Sequence, residues 1–245
     1  VGIYTADFRA GNAGAAAEYL ILICLNADLP DGTGDEQAAL CHEALRELVL
    51  ETREFSTLLG DVKANGTSTQ GLLQERLSLI KLLDDKALIK KITQEAARTA
   101  DDNGRTNDAV LLNHLAGEYD NVVTILNRSL SEALSVDLGQ APLKLEPLKQ
   151  RLPGPEAQIS DPNSTSLSLL GTDDPMDLSD RVMKLYDSNP LWWRSVTKLS
   201  RDTMWALFKL NEAKKVIEAG RYMEALDVST ILYILLSHSY LTFAR

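Results

Sequence analysis

Helix breakers are scarce in this chain. Its 245 residues include 14 glycines and 8 prolines, and six of the prolines lie between positions 142 and 175. Because Gly costs about 1 kcal/mol and Pro about 3 kcal/mol inside a helix, a chain so free of both outside one stretch points to an all-helical body. Alternating runs of Val, Ile and Thr are missing as well, so almost no sheet is expected. Only two cysteines occur, Cys24 and Cys41, with no CxxC pairing. That argues against a disulfide framework or a thiolate metal centre and fits a reducing compartment. The longest apolar runs, "YLILICL" and "ILYILL", fall far short of the roughly 20 residues that cross a bilayer, so no membrane span is expected. Positive charge is in deficit, with 25 Lys and Arg against 35 Asp and Glu and a net charge of −10. Such a surface repels phosphate backbones, and nucleic acid is not an expected partner. The chain opens in mid-pattern with "VGIYTADF", without an initiating Met or a basic-then-apolar leader, and reads as a fragment of something longer.

What remains is Leu, Ala, Glu and Lys at helical spacing. The periodicity predicts helices from about Ala13 to Asp28, from Asp35 as N-cap through "REFSTLLG", from about Gln70 to Leu83, from Lys86 to Asp102, through Ala109 to Leu115, and from Asp120 to Leu134. Residues 135–177 hold the six clustered prolines and read as a loop or linker. Helices resume with "LSDRVMKLY", and a long one is expected to start at Pro190, a residue suited to the first turn. The organisation is therefore a first helical part over 1–134, a proline-rich connection over 135–177 and a second helical part over 178–245.

Two phrases repeat: "AGEYDNVV" (116–123) and "AGRYMEAL" (219–226). Gly104, Gly117 and Gly220 each stand between two helical runs, followed five residues on by Ala109, Val122 and Ala225. A glycine in the left-handed region stops one helix, and the small residue lets the next pack close, so each reads as a helix-hairpin corner. Tyr119 and Tyr222 would wedge their rings into two of these corners with the hydroxyls at solvent. An ordinary turn of any helical protein is the alternative reading. A ladder of hairpins would be an α-solenoid, and the unequal spacings, with no period of about 34 to 47 residues, disfavour regular repeats.

No catalytic constellation is present. His42, His114 and His238 stand alone, without HExxH or HxxxH spacing, and read as helix residues. The pairs Asp84-Asp85, Asp101-Asp102 and Asp173-Asp174 lack a third acid at metal-binding spacing and read as capping residues. Phosphate-loop and GxSxG patterns are absent. No cofactor, metal site or enzyme activity is expected. Trp192 and Trp193 are adjacent, so on a helix their rings would point about 100 degrees apart and not share a pocket. Together with Trp205 they are either core or interface anchors.

Three blocks carry a resemblance: "ALRELVLETREFSTLLGD" (44–61), "ITQEAARTADDNGRTNDAVLLNHLAGEYDNVVTILNRSLSEAL" (92–134) and "LNEAKKVIEAGRYMEALD" (210–227). Covering about a third of the chain, they resemble the nucleoporin-interacting component family, inner-ring scaffold nucleoporins of the nuclear pore complex, in its fungal wording. The resemblance implies an irregular α-solenoid of the coatomer-related kind, without enzymatic activity, at the nuclear envelope. It implies partners among other nucleoporins, including the membrane-associated linker nucleoporin that carries an RRM fold. The channel nucleoporin trimer and the large scaffold nucleoporins would bind through regions absent from this chain. "ALDVSTILYILL" departs from the family pattern, in which an apolar connector follows "EALD". That implies residues left out near Val228 and within the proline-rich stretch. The competing reading is a vesicle-coat or tethering subunit of similar build, and a third is a hydrolase using the paired aspartates.

Overall fold

A computed structural model describes residues 12–24, 33–62, 67–76, 85–146, 172–228 and 230. The predicted end of the first helix at Asp28, most of the second half of the expected helix 70–83, Asp84, His238 and "ILYILL" lie outside the described residues. Two compact units can be distinguished: the first reaches to Gly117, and the second begins at Glu118 and resumes at Gly171.

In the first unit, Asn12 caps α1 (Ala13–Cys24) by accepting from Ala15 N at 2.9 Å. Ala13, Ala16, Ala17, Leu20 and Ile21 are buried at the three-then-one spacing of a helix face. Small residues in that face let α2 (Thr33–Thr52) approach and bury Ala38, Cys41, Leu45, Leu48 and Val49. Two expectations are corrected here. The helix already begins at Thr33, which puts Asp35 inside its first turn and not at the cap. Cys41 is fully buried in the α1–α2 core and disulfide-bonded, not the free thiol expected from a reducing compartment.

Arg53 ends α2 in the left-handed region, with φ 55. The chain then makes α3 (Phe55–Leu58), β1 (Gly60–Val62), β2 (Ser68–Gln70) and α4 (Leu72–Glu75). Over the described part of the helix expected from Gln70, Gln70 belongs to the ribbon strand and Leu72–Glu75 make a single helical turn. The strands pair antiparallel with Gly60 opposite Gln70 and Val62 opposite Ser68. Glycine is required on both sides of this ribbon. Gly60 has φ 108, and a Cβ on Gly71 would strike Gly60 N, Leu59 C and, at 2.5 Å, Leu58 O. All three are backbone atoms, so no side chain can swing aside. Gly71→Val is expected to destabilise by about 3 kcal/mol or more, read by urea unfolding; a loss within about 0.5 kcal/mol would show that the close approach is not maintained.

α5 (Asp85–Asp102) and α6 (Thr106–Leu115) form a hairpin across Gly104. Ile89, Ile92, Ala96, Ala97 and Ala100 bury one face of α5. In α6 every residue from Thr106 to Asn113 is buried, polar ones included. A helix covered on all sides cannot show an amphipathic stripe, which is why its pattern in the sequence is short and weak.

The second unit is built on α7 (Tyr119–Ser135), which buries Val122, Val123, Ile125, Leu126 and Leu130, and on α10 (Lys198–Glu218), which packs along it. Between them in sequence lie α8 (Pro175–Ser188) and α9 (Pro190–Arg194). α8 starts inside the stretch expected to be linker. Asp174 caps it by accepting from Met176 N at 2.8 Å, and Pro175 takes the first turn. The single long helix expected from Pro190 is instead two, because Thr197 takes an extended backbone and its Oγ1 caps α10 by accepting from Ser200 N at 3.3 Å. Asp120 Oδ1 fixes this break by accepting from Thr197 N at 2.8 Å.

The fold is all-α, and among the described residues the ribbon is the one exception, with helix pairs joined by turns of unequal length. Among the described residues no helix is long and apolar enough to cross a membrane.

Candidate functional site

The second unit contains a groove of about 400 Å³. Its walls are the C-terminal end of α7 at Ala133 and Val136, the extended segment at Pro142 and Leu143, the start of α8 at Pro175 and Met176, and one face of α10. The floor is fixed by hydrogen bonds that span the unit. Lys214 Nζ donates to Ala133 O at 2.9 Å and to Val136 O, closing the carbonyl end of α7 as a side-chain cap. Asn211, 4% exposed, donates from Nδ2 to Leu130 O and to Leu207 O, each at 2.9 Å. The bond to Leu130 O holds α10 against α7, and the bond to Leu207 O, one turn back on α10 itself, anchors the amide.

Charges ring the mouth in pairs. Lys215 Nζ lies 2.7 Å from Asp174 Oδ2, and Lys144 Nζ lies 3.3 Å from Asp173 Oδ2. The latter contact sits beside a backbone bond from Leu145 N to Asp173 O of 2.7 Å, which ties the extended segment to the start of α8. The Asp173-Asp174 pair therefore serves capping and rim pairing. Among the described residues no group of three or more His, Cys, Asp or Glu could hold a metal ion. The groove combines apolar walls at Val136, Pro142, Leu143 and Met176 with polar and charged residues, Gln140 and Glu218 among them, which suits binding.

At the other end of the unit Tyr186, fully buried, gathers the aromatic residues. Its ring centroid lies 5.8 Å from Tyr119, 5.6 Å from Trp192 and 5.4 Å from Trp193. The expectation that the two tryptophans cannot share a pocket is corrected: the rings do diverge, but Tyr186 lies between them and meets both. Trp193 Nε1 donates to Asp187 Oδ1 at 2.7 Å, and the Arg201 guanidinium sits 5.2 Å from the Trp193 ring centroid. Trp205, on α10, is 40% exposed.

The glycines expected at corners all have positive φ: Gly104 71, Gly117 77 and Gly220 75. Gly104 and Gly220 make the same closure. Gly104 N bonds Asp101 O at 2.9 Å and Arg105 N bonds Ala100 O at 2.9 Å; Gly220 N bonds Ile217 O at 2.9 Å and Arg221 N bonds Val216 O at 3.0 Å. This paired pattern is the Schellman motif. Ala109, Val122 and Ala225 are buried. The tyrosines part company with expectation. Tyr119 packs into the aromatic cluster, and Tyr222 is 69% exposed. Asn211, Lys214 and Met176 were missed from sequence. A signal existed, since Asn211 breaks the apolar run of "WALFKLNEAKKV" at a position facing α7.

His114, in the last turn of α6, has its imidazolium disfavoured by burial, which pushes its pKa down to about 4. Its folded pKa lies below the unfolded value of about 6.5, so the stability it contributes is present above pH 6.5 and lost as pH falls through about 4. Expected is a decline of about 3 kcal/mol over that window, absent in His114→Gln and measured by denaturant unfolding at stepped pH. Identical slopes for both proteins would refute it.

A sequence model of the family described as Nup93/Nic96 matches residues 1–236. Nucleoporin NIC96 of Chaetomium thermophilum is 48% identical over 237 residues, which is 96% of this chain and 21% of that protein. Nucleoporin NIC96 of Saccharomyces cerevisiae is 35% identical over 232 residues, 95% of this chain and 24% of that protein. The chain thus spans about a fifth to a quarter of these relatives. The crystal structure of Chaetomium thermophilum Nic96 SOL superposes with a TM-score of 0.86 at 47% identity, covering 95% of this chain and 33% of that one. With the family model matched over residues 1–236 and a Nic96 structure superposed over 95% of the chain at 47% identity, the chain belongs to the Nup93/Nic96 family.

Proposed function

We propose that this chain is a scaffold segment of the nuclear pore complex, in the inner ring, and holds other nucleoporins in place at the nuclear envelope. The observation that carries this reading is the match to the Nic96 crystal structure over 95% of the chain at 47% identity. The geometry supports it: helix pairs bury their apolar faces on neighbours and leave a lined groove where a partner segment can dock, while no bond is made or broken. In this reading the membrane-associated linker nucleoporin with an RRM fold is a partner of the helical body. The channel trimer and large scaffold nucleoporins bind through other parts of the longer protein.

Tagged chain incubated with fungal nuclear extract, followed by mass spectrometry of what is retained, tests the proposal. Pore components are expected. Recovery of vesicle-coat subunits in their place would overturn it in favour of the trafficking reading.

A further inference from the structure

We propose that Cys41 is joined to Cys24 and that this bond is a redox-sensitive staple, which holds α1 on α2 when oxidised and lets α1 open when reduced. The inference stands apart from the scaffold reading above. Cys41 is disulfide-bonded, and Cys24 is the only other cysteine in the sequence. Backbone geometry agrees with that partner. The Cys41 Sγ lies 3.3 Å from Leu20 O, and in an α-helix that carbonyl belongs to the turn closed by the amide of residue 24. Cys24 is the last residue of α1, so the sulfur carried by α2 rests on the turn that ends there. Ala13, Ala16 and Ala17 on the α1 face are fully buried. Such small residues allow the close backbone approach, roughly 4.4–6.8 Å between Cα atoms, that a disulfide requires.

The same alanines explain why a staple matters. A buried Ala removes far less apolar surface from water than a Leu, so a face with three alanines beside Leu20 and Ile21 contributes little to holding its helix. On the outer side Tyr19 and Leu22 are exposed, which puts α1 at the edge of the unit. Its ion pair to α4, Glu18 with Arg76 at 3.0 Å, is about half exposed at both ends and adds little. A cross-link between residues 24 and 41 restricts the chain once α1 has left α2, and so disfavours opening. The relatives of this chain are nucleoporins, and the thiol pool of cytoplasm and nucleoplasm reduces disulfides that it can reach. Cys41 is fully buried, so a thiol meets its sulfur only once α1 lifts. Reduction consumes two small-molecule thiols. The first attacks as thiolate and forms a mixed disulfide, and the second displaces the protein sulfur from it. One protein S–S bond is lost, one small-molecule S–S bond forms, and the two thiol protons pass to Cys24 and Cys41.

The test uses the purified 245-residue chain, equilibrated either with glutathione disulfide or with excess dithiothreitol. After denaturation and alkylation without further reductant, the oxidised chain is expected to carry neither alkyl nor glutathione adduct and to yield one cross-linked peptide containing both cysteines. The reduced chain is expected to carry an alkyl group on each. Hydrogen exchange read by mass spectrometry is expected to show α1 amides exchanging at least about tenfold faster in the reduced chain, with α7 and α10 unchanged. Cys24→Ser is expected to show the fast α1 exchange in both media, and its unchanged α7 and α10 show that the fold persists. Alkyl or glutathione adducts on the oxidised chain would overturn the bond. Disulfide-linked dimers on a non-reducing gel would assign it to two chains and equally overturn it. Exchange of α1 at the same rate in both media would overturn the switch.

Discussion

Replacing Arg53 with Met is expected to cost about 3–5 kcal/mol of stability, a larger loss than Asp108→Ala produces. Arg53 sits at the end of α2 and reaches across the first unit to α6, where its Nε and Nη2 lie 3.0 and 2.6 Å from the same Asp108 oxygen. The burial of the two partners is unequal: the Asp108 side chain is 2% exposed and that of Arg53 24%. Removal of Asp108 leaves a guanidinium that can turn towards water. Removal of Arg53 leaves a carboxylate in the interior without its main counter-charge. Arg53→Lys is expected to recover part of the loss only, because one ammonium cannot reproduce the two N–H donors aimed at Oδ2. The double substitution Arg53→Met with Asp108→Leu should regain most of it, since a packed apolar pair carries no desolvation cost. Urea unfolding of the four proteins checks this, and a loss below about 1 kcal/mol for Arg53→Met would mean the pair is dispensable.

The second large effect is expected at Tyr186. Its ring fills the space between Tyr119, Trp192 and Trp193, joining α8, α9 and the start of α7. Tyr186→Ala should cost about 3–5 kcal/mol through lost burial and the cavity left behind. Tyr186→Phe keeps the ring contacts and should retain most of the stability. Tryptophan emission provides an independent readout, because two of the chain's three tryptophans rest on this ring. A red shift is expected in the Ala variant and little change in the Phe variant. Burial, with Tyr119 nearby as a lesser cause, also pushes the Tyr186 phenol well above the ordinary tyrosine range. It should therefore stay neutral in the folded protein near pH 10, where exposed tyrosines ionise. Stability is then lost at alkaline pH as the unfolded chain's tyrosine gives up its proton first. Ionisation of all seven tyrosines together near pH 10 in still-folded protein would contradict that placement.

Much of the fold was legible in the residues. The stripe of α7, with Val122, Val123, Leu126 and Leu130, and the breaks at Gly104, Gly117 and Gly220 mark helices and their ends because a 3.6-residue period and a left-handed glycine are local properties. The sequence repetition links Gly117 with Gly220 through "AGEY" and "AGRY". The hydrogen bonds pair Gly220 with Gly104 more closely, through Schellman closures in which an arginine follows each glycine. The tyrosine common to the two phrases has no shared role, since Tyr119 is drawn into an aromatic cluster and Tyr222 is exposed.

Local chemistry also hid several features. The ribbon at 60–70 depends on Gly60 and Gly71 meeting backbone to backbone, which no periodicity records. The break at Thr197 lies in a sequence that could continue as helix, and is decided by Asp120 bonding to its backbone from 77 residues away. Fold class, the placement of most helices and the absence of any catalytic pattern were determined by the sequence alone, because propensity, glycine stops and apolar spacing act over a turn or two of chain. The tertiary structure alone decided which polar residues matter. Arg53 with Asp108, Lys214 on the end of α7 and the committed amide of Asn211 are pairings across 55 to 81 residues, and a buried polar group declares its partner only when the helices that carry both are packed together.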